Sequence, residues 1–403
     1  MIAISKILEA QKRLNGILQH TKLAYAPRLS QISGAKIYVK QENLQNTGSF
    51  KLRGAFNKIA SLSEEERQKG VIAASAGNHA QGVAYSAKHF NIKGVIVMPE
   101  ATPLLKVMGV KELGAEAILK GNNYDEAYAY SQEYAKKHNL QFIHPFADDE
   151  VIAGQGTIAL EMLNDLNMLN TIVVPIGGGG LISGIAAAYK QLSPNVRIIG
   201  VVAAGAPGMY HSFYKKEVQT TEFVRTIADG IAVRDVNPLT FKYICESVDE
   251  IVMVDDYEIA NAILYLLENQ KLVVEGAGAS VVAALLHKKF KINRDENIGL
   301  ILSGGNIDVT MLGNIIEKGL VRSHRKMRFC VTLIDKPGSL QGLSNLLSNL
   351  GANIVKIDFD RTSTALAYGD ASVTIVLETK GVEHQNDIKD ALKADGYAFV
   401  ELE

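Results

Sequence analysis

Short runs of apolar, often β-branched residues alternate with helical patterns through the first three quarters of the chain. The runs are AKIYVK at 35–40, GVIAASA at 70–76, KGVIVMP at 93–99, TIVVPIG at 171–177, RIIGVVAA at 197–204, EIVMVD at 250–255 and NIGLILSGG at 297–305. The stretches with helical periodicity between them include 61–69, 80–89, 124–138 and 257–269. This alternation predicts an α/β fold, with open parallel sheets that carry helices on both faces.

The pattern changes near residue 320, where a basic and weakly periodic segment, EKGLVRSHRKM, separates two different orders of elements. An alternating strand at 329–333 is followed by the turn DKPG and by a helix with a leucine stripe that Gly351 is placed to end. Two more strands, a helix and the closing AFVEL complete the order β-α-β-β-α-β, which predicts a small ferredoxin-like α+β domain. The first of these two strands is expected to bury Val355, Ile357 and Phe359.

Length and composition are those of an ordinary globular protein. With 403 residues the chain is long enough for two or three domains, and we predict boundaries at 1–320 and 327–403 with a linker at 321–326. Apolar residues make up 47%, charged residues 21%, and the formal net charge is −1. This balance gives no reason to expect nucleic acid or a membrane as partner. Charged residues interrupt the N-terminal segment where a signal peptide needs an unbroken apolar region, and we expect a cytoplasmic protein. Cys245 and Cys330 lack the spacing of a disulfide framework or a zinc site.

Three of the predicted strands end in glycine-bearing turns: SAGNHAQG, PIGGGGLISG and LSGGNID. In open α/β sheets, ligands bind beyond the carboxyl ends of the strands, so these turns are expected to border one crevice. In the second turn, Gly177–Gly180 end a buried strand and open a helix, where consecutive backbone N–H groups and the helix N-terminus favour an anion. The run lacks the spacing of a dinucleotide fingerprint and is not followed by a Walker lysine, which disfavours those two kinds of site. Four consecutive glycines cost backbone entropy and need a reason to persist, which favours a compact phosphate monoester over a tight packing turn.

Lys51 stands among small and polar residues in NTGSFKLRGAFNKI, and no neighbour in sequence clearly pairs with its charge. Taken alone it would be read as a solvated helix residue. A lysine that accompanies a phosphate pocket has another use, because lysine forms Schiff bases with carbonyl compounds. The two features together indicate a phosphorylated aldehyde, and pyridoxal 5'-phosphate fits both.

The blocks TGSFKLRGA, SAGNHAQG, GGGGLISG and SGGN, in this order, resemble the signatures of pyridoxal-phosphate enzymes of the tryptophan-synthase-β type, and most closely the threonine dehydratases. The resemblance covers the whole chain. It implies a two-subdomain catalytic fold, with the small subdomain at about 43–147. The C-terminal unit with DKPGSL is similar to an amino-acid-binding ACT domain.

The resemblance also assigns roles to residues. Lys51 would form the Schiff base with the cofactor and later remove the substrate Cα proton, and Phe50 would lie against the cofactor ring. Asn78 would hydrogen-bond the 3-hydroxyl group, and Ser303 would pair with the pyridine nitrogen. The backbone N–H groups that would hold the phosphate are those of Gly177, Gly178, Gly179, Gly180 and Leu181. The substrate carboxylate would lie in the loop of Ser75, Gly77, Asn78 and His79.

Ser303 bears on the type of reaction, because a hydroxyl group does not keep the pyridine nitrogen protonated as an aspartate would. The cofactor is then a weaker electron sink, which suits β-elimination of a hydroxyl group. The implied reaction converts L-threonine to 2-oxobutanoate and ammonia, with the bound phosphate as the acid for the departing hydroxyl group. We expect a role in isoleucine biosynthesis, and the alternatives are a serine-preferring or a catabolic dehydratase. A non-catalytic amino-acid sensor is a further alternative, which the joint presence of Lys51, Asn78, the glycine run and Ser303 disfavours.

Two departures from relatives narrow the prediction. Serine racemases have a serine where this chain has Ala76, so no proton donor is expected on the second face of the substrate, and elimination should dominate. Metal-binding relatives use a glutamate where this chain has Ala204, so no divalent metal is expected. Glu275 resembles an acidic residue near the cofactor, and an ordinary carboxylate at a helix start explains it nearly as well.

The ACT-like unit implies an amino-acid effector, with Asp335, Gly338 and Leu340 as the candidate effector-binding residues. The alternative is that this unit only joins subunits. Small domains with hydrophobic faces favour association, and we expect a homo-oligomer, a dimer or a homotetramer.

Overall fold

A computed structural model describes residues 1–402 of the chain. The chain folds as two compact units, Met1–Asp308 and a second unit that begins at Val309. The division comes before the predicted boundary at residue 320, because the helix that starts at Val309 groups with the C-terminal unit. No helix in residues 1–402 has the length and apolar character needed to cross a membrane.

The first unit is a mixture of helices and short strands. Its helices are α1 Ile4–Leu14, α2 Pro27–Ser33, α3 Lys51–Ser61, α4 Glu64–Gln68, α5 Asn78–His89, α6 Leu104–Glu112, α7 Tyr124–His138, α8 Asp149–Asp165, α9 Gly180–Leu192, α10 Gly208–Lys215, α11 Pro238–Ser247, α12 Asp256–Tyr265 and α13 Gly276–Leu286. Its strands are β1 Leu23–Tyr25, β2 Lys36–Lys40, β3 Val71–Ala74, β4 Gly94–Met98, β5 Glu116–Leu119, β6 Gln141–Phe142, β7 Thr171–Pro175, β8 Arg197–Ala203, β9 Glu250–Val254 and β10 Asn297–Ile301.

The strands of the first unit form two sheets. The larger sheet has the order β1-β2-β10-β7-β8-β9, and all its pairs are parallel except β1 with β2. The smaller sheet, β5-β4-β3-β6, is wholly parallel and is built from residues 71–142. Parallel strands with helical connections carry ligand sites at their carboxyl ends, which here are followed by the glycine-bearing turns.

Helices α3 and α9 both pack closely against α8, and glycines make the contact possible. A Cβ atom on Gly154 of α8 would lie 2.4 Å from the Arg53 carbonyl oxygen of α3. A Cβ atom on Gly184 of α9 would lie 2.4 Å from the Ile152 carbonyl oxygen of α8. These backbone contacts fix the N-termini of α3 and α9, and those N-termini carry Lys51 and the glycine run.

A buried ionic network anchors α3 a second time. The Arg53 guanidinium donates to Glu42 at 2.8 Å and to Glu161 at 2.6 and 2.9 Å, and the Lys40 ammonium donates to Glu161 at 2.5 Å. Lys40, Glu42 and Arg53 are almost fully buried. Buried charges are costly unless they are paired, so each member holds the others in place, and Arg53 lies two residues after Lys51.

The second unit is an antiparallel sheet with helices. Its elements are α14 Val309–Arg322, β11 Lys326–Ile334, α15 Ser339–Asn349, β12 Asn353–Asp360, β13 Asp370–Glu378, α16 Val382–Ala394 and β14 Phe399–Glu401. The strand order is β12-β13-β11-β14. Its core comprises alternate residues of β11 and β13 with leucines of α15 and α16.

Strand β12 differs from the sequence prediction. Val355, Ile357 and Phe359 are 49%, 39% and 43% exposed, whereas the sequence pattern predicts that they are buried. The reason is position: β12 pairs only with β13 and forms the edge of the sheet. A register irregularity between Ile354 and Lys356 also interrupts its alternation.

Candidate active site

Three chain segments meet through backbone hydrogen bonds at the carboxyl end of β10. The Phe50 N–H donates to the Ser303 carbonyl oxygen at 3.0 Å, and the Gly305 N–H donates to the Gly48 carbonyl oxygen at 2.8 Å. The Glu275 N–H donates to the Gly304 oxygen at 3.0 Å. The turn after β10 therefore joins the segment before Lys51 to the start of α13.

Lys51 is the first residue of α3, and its side chain is partly buried. Its Nζ donates to the Pro145 carbonyl oxygen at 2.8 Å and lies 5.4 and 5.9 Å from the ring centroids of Phe50 and Phe146. Burial lowers the pKa of Lys51 to about 8, against the opposing attraction of the Glu275 carboxylate. A lysine with this pKa has a substantial neutral fraction near neutral pH, which nucleophilic and base chemistry need.

Asn78 lies at the start of α5, and its amide group is engaged on both sides. Its Nδ2 donates to the two carboxylate oxygens of Glu275 at 2.8 and 3.0 Å, and its Oδ1 accepts from Asn306 Nδ2 at 2.7 Å. The same Asn306 Nδ2 donates to the Thr47 carbonyl oxygen at 2.8 Å. Burial raises the pKa of Glu275 to about 7, although its hydrogen bond from Asn78 acts in the opposite direction. One polar network therefore links the segment before Lys51, the asparagine loop and α13.

The glycine run forms a loop that lies very close to the Phe146 ring and to the backbone at Ile231. Gly179 has a φ of 87°, in the left-handed region that favours glycine, and α9 begins at Gly180. A Cβ atom on Gly178 would lie 2.3 Å from the Phe146 ring, and one on Gly177 would lie 2.8 Å from Ile231 Cα. Leu181 follows in the first turn of α9 and is buried. A helix N-terminus preceded by side-chain-free backbone suits a phosphate group.

Ser303 has a buried hydroxyl group that finds no hydrogen-bond partner within residues 1–402. The residue is 1% exposed. A buried hydroxyl group normally has a partner, so a polar ligand atom at this place would satisfy it. The residues present therefore fit pyridoxal phosphate: an amine for its aldehyde, a glycine loop for its phosphate and a hydroxyl group for its ring nitrogen.

The predicted substrate loop lies at the N-terminus of α5, which begins directly after Gly77. The Ser75 Oγ accepts from the Gly77 N–H at 3.2 Å, which shapes the loop. His79 is only 3% exposed, and its Nε2 donates to the Ile143 carbonyl oxygen at 2.9 Å. Burial lowers the pKa of His79 to about 3, so the ring is neutral. Backbone N–H groups of this loop, together with the helix N-terminus, are the groups that suit a substrate carboxylate.

Sequence reasoning missed the turn that faces Lys51. The Pro145 carbonyl and the Phe146 ring contact the amine and the glycine run, and His144 accepts hydrogen bonds from the turn. The preceding strand β6 has only two residues, so no apolar run marked this place as the end of a strand. Asn306 was also missed, although it stands in the quoted SGGN block.

The candidate effector residues lie together in the second unit. Asp335, Gly338 and Leu340 line a cavity of about 510 Å³, with Phe359 and Arg361 among the other lining residues. Gly338 has a φ of 91° and precedes α15, so it lets the chain turn tightly into the helix. Arg361 lies 3.5 Å from the Asp335 carboxylate.

The fold and the site define a pyridoxal-phosphate enzyme. The model of the family "Pyridoxal-phosphate dependent enzyme" matches residues 15–304, and the chain belongs to this family. The cofactor prediction is confirmed at the level of the family. Within residues 1–402, no group of three or more His, Cys, Asp and Glu side chains is placed to hold a metal ion.

Several relatives are similar over most of their length. The chain is 47% identical over 397 residues to the L-threonine ammonia-lyase of Thermotoga maritima, covering 98% of each. It is 44% identical over 323 residues to a catabolic L-threonine dehydratase of Staphylococcus aureus, covering 79% of this chain and 93% of the relative. A solved structure, threonine deaminase isoform 2 from Solanum lycopersicum, is 38% identical with a TM-score of 0.75, covering 78% of this chain and 87% of that chain. The predicted α/β fold class is thereby confirmed.

Proposed function

We propose that this chain is an L-threonine ammonia-lyase that converts L-threonine to 2-oxobutanoate and ammonia. The observation that carries the proposal is the 47% identity to an enzyme of that name over 98% of both chains. The site supports it, because a Lys51 amine, a glycine loop before a helix and an unpartnered Ser303 hydroxyl group are groups that would suit pyridoxal phosphate.

The site has residues suited to proton removal and to substrate and cofactor binding in a β-elimination. When bound, the cofactor withdraws electrons from the substrate Cα. The Lys51 amine would take the Cα proton, and the electron pair of that bond would form the Cα–Cβ double bond. The β-hydroxyl group would leave as water with a proton from the cofactor phosphate, which the glycine loop before α9 would hold. The N-terminus of α5 binds the substrate carboxylate, and the backbone N–H groups before α9 hold the cofactor phosphate. Tautomerisation and hydrolysis of the released enamine give 2-oxobutanoate and ammonia.

The Pro145 carbonyl and the Ser303 hydroxyl group suit this chemistry. A carbonyl oxygen fixes the Lys51 amine without adding a negative charge, so it does not keep the amine protonated as a carboxylate would. A serine hydroxyl group can donate to the cofactor nitrogen without transferring a full positive charge to it. Elimination, which stores little charge in the ring, is favoured over reactions that require a long-lived carbanion.

Lys51→Ala tests the central assignment. The variant should bind pyridoxal phosphate only non-covalently and lose 2-oxobutanoate release by at least about a thousandfold, because both the covalent link and the base are missing. Lysine-linked cofactor absorbs in the visible range, so the spectrum reports the link independently of turnover. A purified, folded variant with near wild-type turnover would contradict the role of Lys51.

Comparison of threonine with serine separates the two dehydratase alternatives. The substrates differ by one methyl group, for which a pocket discriminates by only about 1–3 kcal/mol. We therefore expect kcat/KM for L-threonine to exceed that for L-serine by a factor of about 10 to 200. A ratio below one would identify a serine-preferring enzyme, and a cofactor-binding protein inactive on both would favour an amino-acid sensor.

The second unit supports a regulatory role. Its strand order and the cavity around Asp335, Gly338 and Leu340 are consistent with an amino-acid-binding ACT domain. We infer that it binds a branched-chain amino acid and that the enzyme serves isoleucine biosynthesis. The match to the catabolic relative covers 79% of this chain, and the match to the ammonia-lyase covers 98%. The part of this chain that only the ammonia-lyase matches favours a regulated enzyme over a catabolic one.

The exposed edge of the second unit supports self-association. Strand β12 has unpaired backbone groups on its outer side and exposes Ile357 and Phe359. Edge strands of this kind pair with other chains unless they are protected. We infer a homo-oligomer, a dimer or tetramer, that light scattering of the purified protein would identify.

A further inference from the structure

A histidine outside the predicted site organises the turn that faces Lys51. The Nδ1 atom of His144 accepts the backbone N–H groups of Phe146 at 3.2 Å and of Ala147 at 2.8 Å. Pro145, which stands between His144 and Phe146, has no N–H group to donate, and the next two N–H groups of the turn find their acceptor in the His144 side chain. The turn leads into α8, whose first residues are fixed by the Asp148 side chain, which accepts from Glu150 and Val151.

The arrangement requires a neutral ring. An atom that accepts two N–H groups cannot carry a proton, so the ring proton of His144 is on Nε2. Burial, with the charge of Lys51 acting in the same direction, lowers the pKa of His144 to about 4, although the carboxylate of Asp148 opposes both. The aromatic neighbours of the ring are uncharged: Phe142, Phe146 and Tyr128.

The turn touches both halves of the cofactor site. The Pro145 carbonyl oxygen accepts from Lys51 Nζ at 2.8 Å, and the Phe146 ring fills the space where a Cβ atom of Gly178 would lie. The His144 and Phe146 rings meet edge to face with centroids 4.8 Å apart. A displacement of this turn would therefore move the acceptor of the amine and one wall of the glycine loop together.

We propose that His144 is a positioning residue, whose neutral Nδ1 holds the turn 144–147 so that the Pro145 carbonyl fixes the Lys51 amine beside the glycine loop. The alternative is a turn that only stabilises the fold. The proposal deepens the function proposed above, since it concerns the amine that forms the cofactor link and takes the substrate proton. It also has consequences for the amine that do not depend on threonine.

The test uses two substitutions in the full-length protein. His144→Leu has a similar volume but removes the acceptor. His144→Asn keeps an acceptor, because an asparagine Oδ1 readily accepts from N–H groups two and three residues on. The first readout is the pKa of Lys51 in cofactor-free protein, from competitive labelling with trace acetic anhydride at several pH values and mass spectrometry. The second readout is the rate of recombination with pyridoxal phosphate.

We expect His144→Leu to raise the pKa of Lys51 toward its ordinary value of 10.5, because an opened turn admits water to the amine. Recombination should slow by about tenfold to a hundredfold, as expected for a misplaced reacting group. His144→Asn should remain within about threefold of the wild type, since the turn keeps its acceptor. A folded leucine variant with wild-type pKa and recombination rate would overturn the proposal.

A measurement on the unaltered protein covers the case in which the leucine variant does not fold. In protein labelled with ¹⁵N-histidine, the resonances of His144 at pH 7 should show a proton on Nε2 and none on Nδ1. A proton on Nδ1 would overturn the proposal, because that atom could not accept from the turn. None of these three readouts needs turnover. An effect on Lys51 in a protein that is inactive on threonine would therefore retain the positioning role of His144 and reject the proposed function.

Discussion

At the scale of single residues, the acceptor of Lys51 decides how the amine behaves. Its hydrogen-bond acceptor is the Pro145 carbonyl. The carboxylate that opposes the lowering of its pKa, Glu275, carries less charge than usual near neutral pH, because burial raises the pKa of that carboxyl group to about 7. Burial consequently dominates the balance and lowers the pKa of Lys51 to about 8. The site thus keeps a lysine that can act as nucleophile and base near neutral pH.

The pKa of Lys51 leads to a prediction for cofactor binding. Only the neutral amine attacks an aldehyde, so recombination of the cofactor-free protein with pyridoxal phosphate should accelerate with pH and level off above about pH 8. N-acetyl-lysine amide is the control, because its amine has a pKa near 10.4 and its rate should rise to about pH 10. Stopped-flow absorbance measures both. A protein curve that rises like the control would contradict the lowered pKa.

Glu275 gives a prediction for stability. Its folded-state pKa is raised to about 7 from an ordinary 4.5, so between these values the folded protein binds the proton more tightly than the unfolded chain. Stability should fall as pH rises through this window. Glu275→Gln removes the ionisation, so the stability of the variant relative to the wild type should increase between pH 5 and pH 8. The expected relative increase is up to about 3 kcal/mol in free energy of unfolding, with a corresponding rise in the Tm difference. Calorimetry of the cofactor-free proteins checks this, and Tm values that change in parallel would refute it.

At the scale of elements, the sequence predicted the strands and helices that have a clear pattern of apolar residues. All seven apolar runs of the first unit became strands, because buried parallel strands require uninterrupted apolar residues. Strands β1, β5 and β6 were missed, since they are short and only partly buried. The helix predicted at 61–69 is present but shorter, because α3 ends at Ser61 and Ser63 caps α4 Glu64–Gln68 with a capping box to Glu66.

The candidate site was predictable to the extent that its residues stand in recognisable blocks. Lys51, Asn78, the glycine run and Ser303 lie in glycine-bearing turns at helix or strand ends, and the structure brings the segments that carry them together. The partners Pro145, Phe146 and His144 come from a turn without a motif. Their role depends on contacts between segments distant in sequence, which no local pattern encodes.

The glycine contacts between α8 and α9 give a prediction for helix packing. Gly184→Ala would place a Cβ atom 2.4 Å from the Ile152 carbonyl oxygen and 2.7 Å from the Gly156 nitrogen. Both are backbone atoms that cannot move cheaply, so we expect a loss of about 1–3 kcal/mol in the free energy of unfolding. Because α9 carries the glycine run, affinity for the cofactor should fall as well.

Gly109→Ala is the matched control for Gly184→Ala. Gly109 lies within α6, and a Cβ atom there would meet nothing within 4 Å. Alanine has the higher helix propensity, so this variant should gain up to about 1 kcal/mol. Urea unfolding of both variants measures the difference. Equal effects of the two substitutions would show that the close contact between α8 and α9 is not what requires glycine.

At the scale of the whole molecule, each unit has its own core. In the first unit, buried apolar residues of α8, α9 and the larger sheet pack together, and in the second, those of β11 and β13 pack with α15 and α16. The proposed active-site residues all belong to the first unit, and the candidate effector residues all belong to the second. A regulatory role therefore requires an effector that binds with different affinity in two states of the enzyme.

A chain shortened to end at Asp308 tests this division of labour. Because the first unit contains Lys51, the glycine run and Ser303, the shortened protein should bind pyridoxal phosphate and deaminate threonine. It should lose any response of that activity to isoleucine or valine, which the full-length enzyme should show as a change of about fivefold or more in apparent affinity for threonine. Asp335→Ala in the full-length protein is the companion variant, since it alters the cavity but keeps the second unit. A shortened chain that still responds in full, or a full-length enzyme that responds to no amino acid, would remove regulation from the second unit and leave it a role in subunit association.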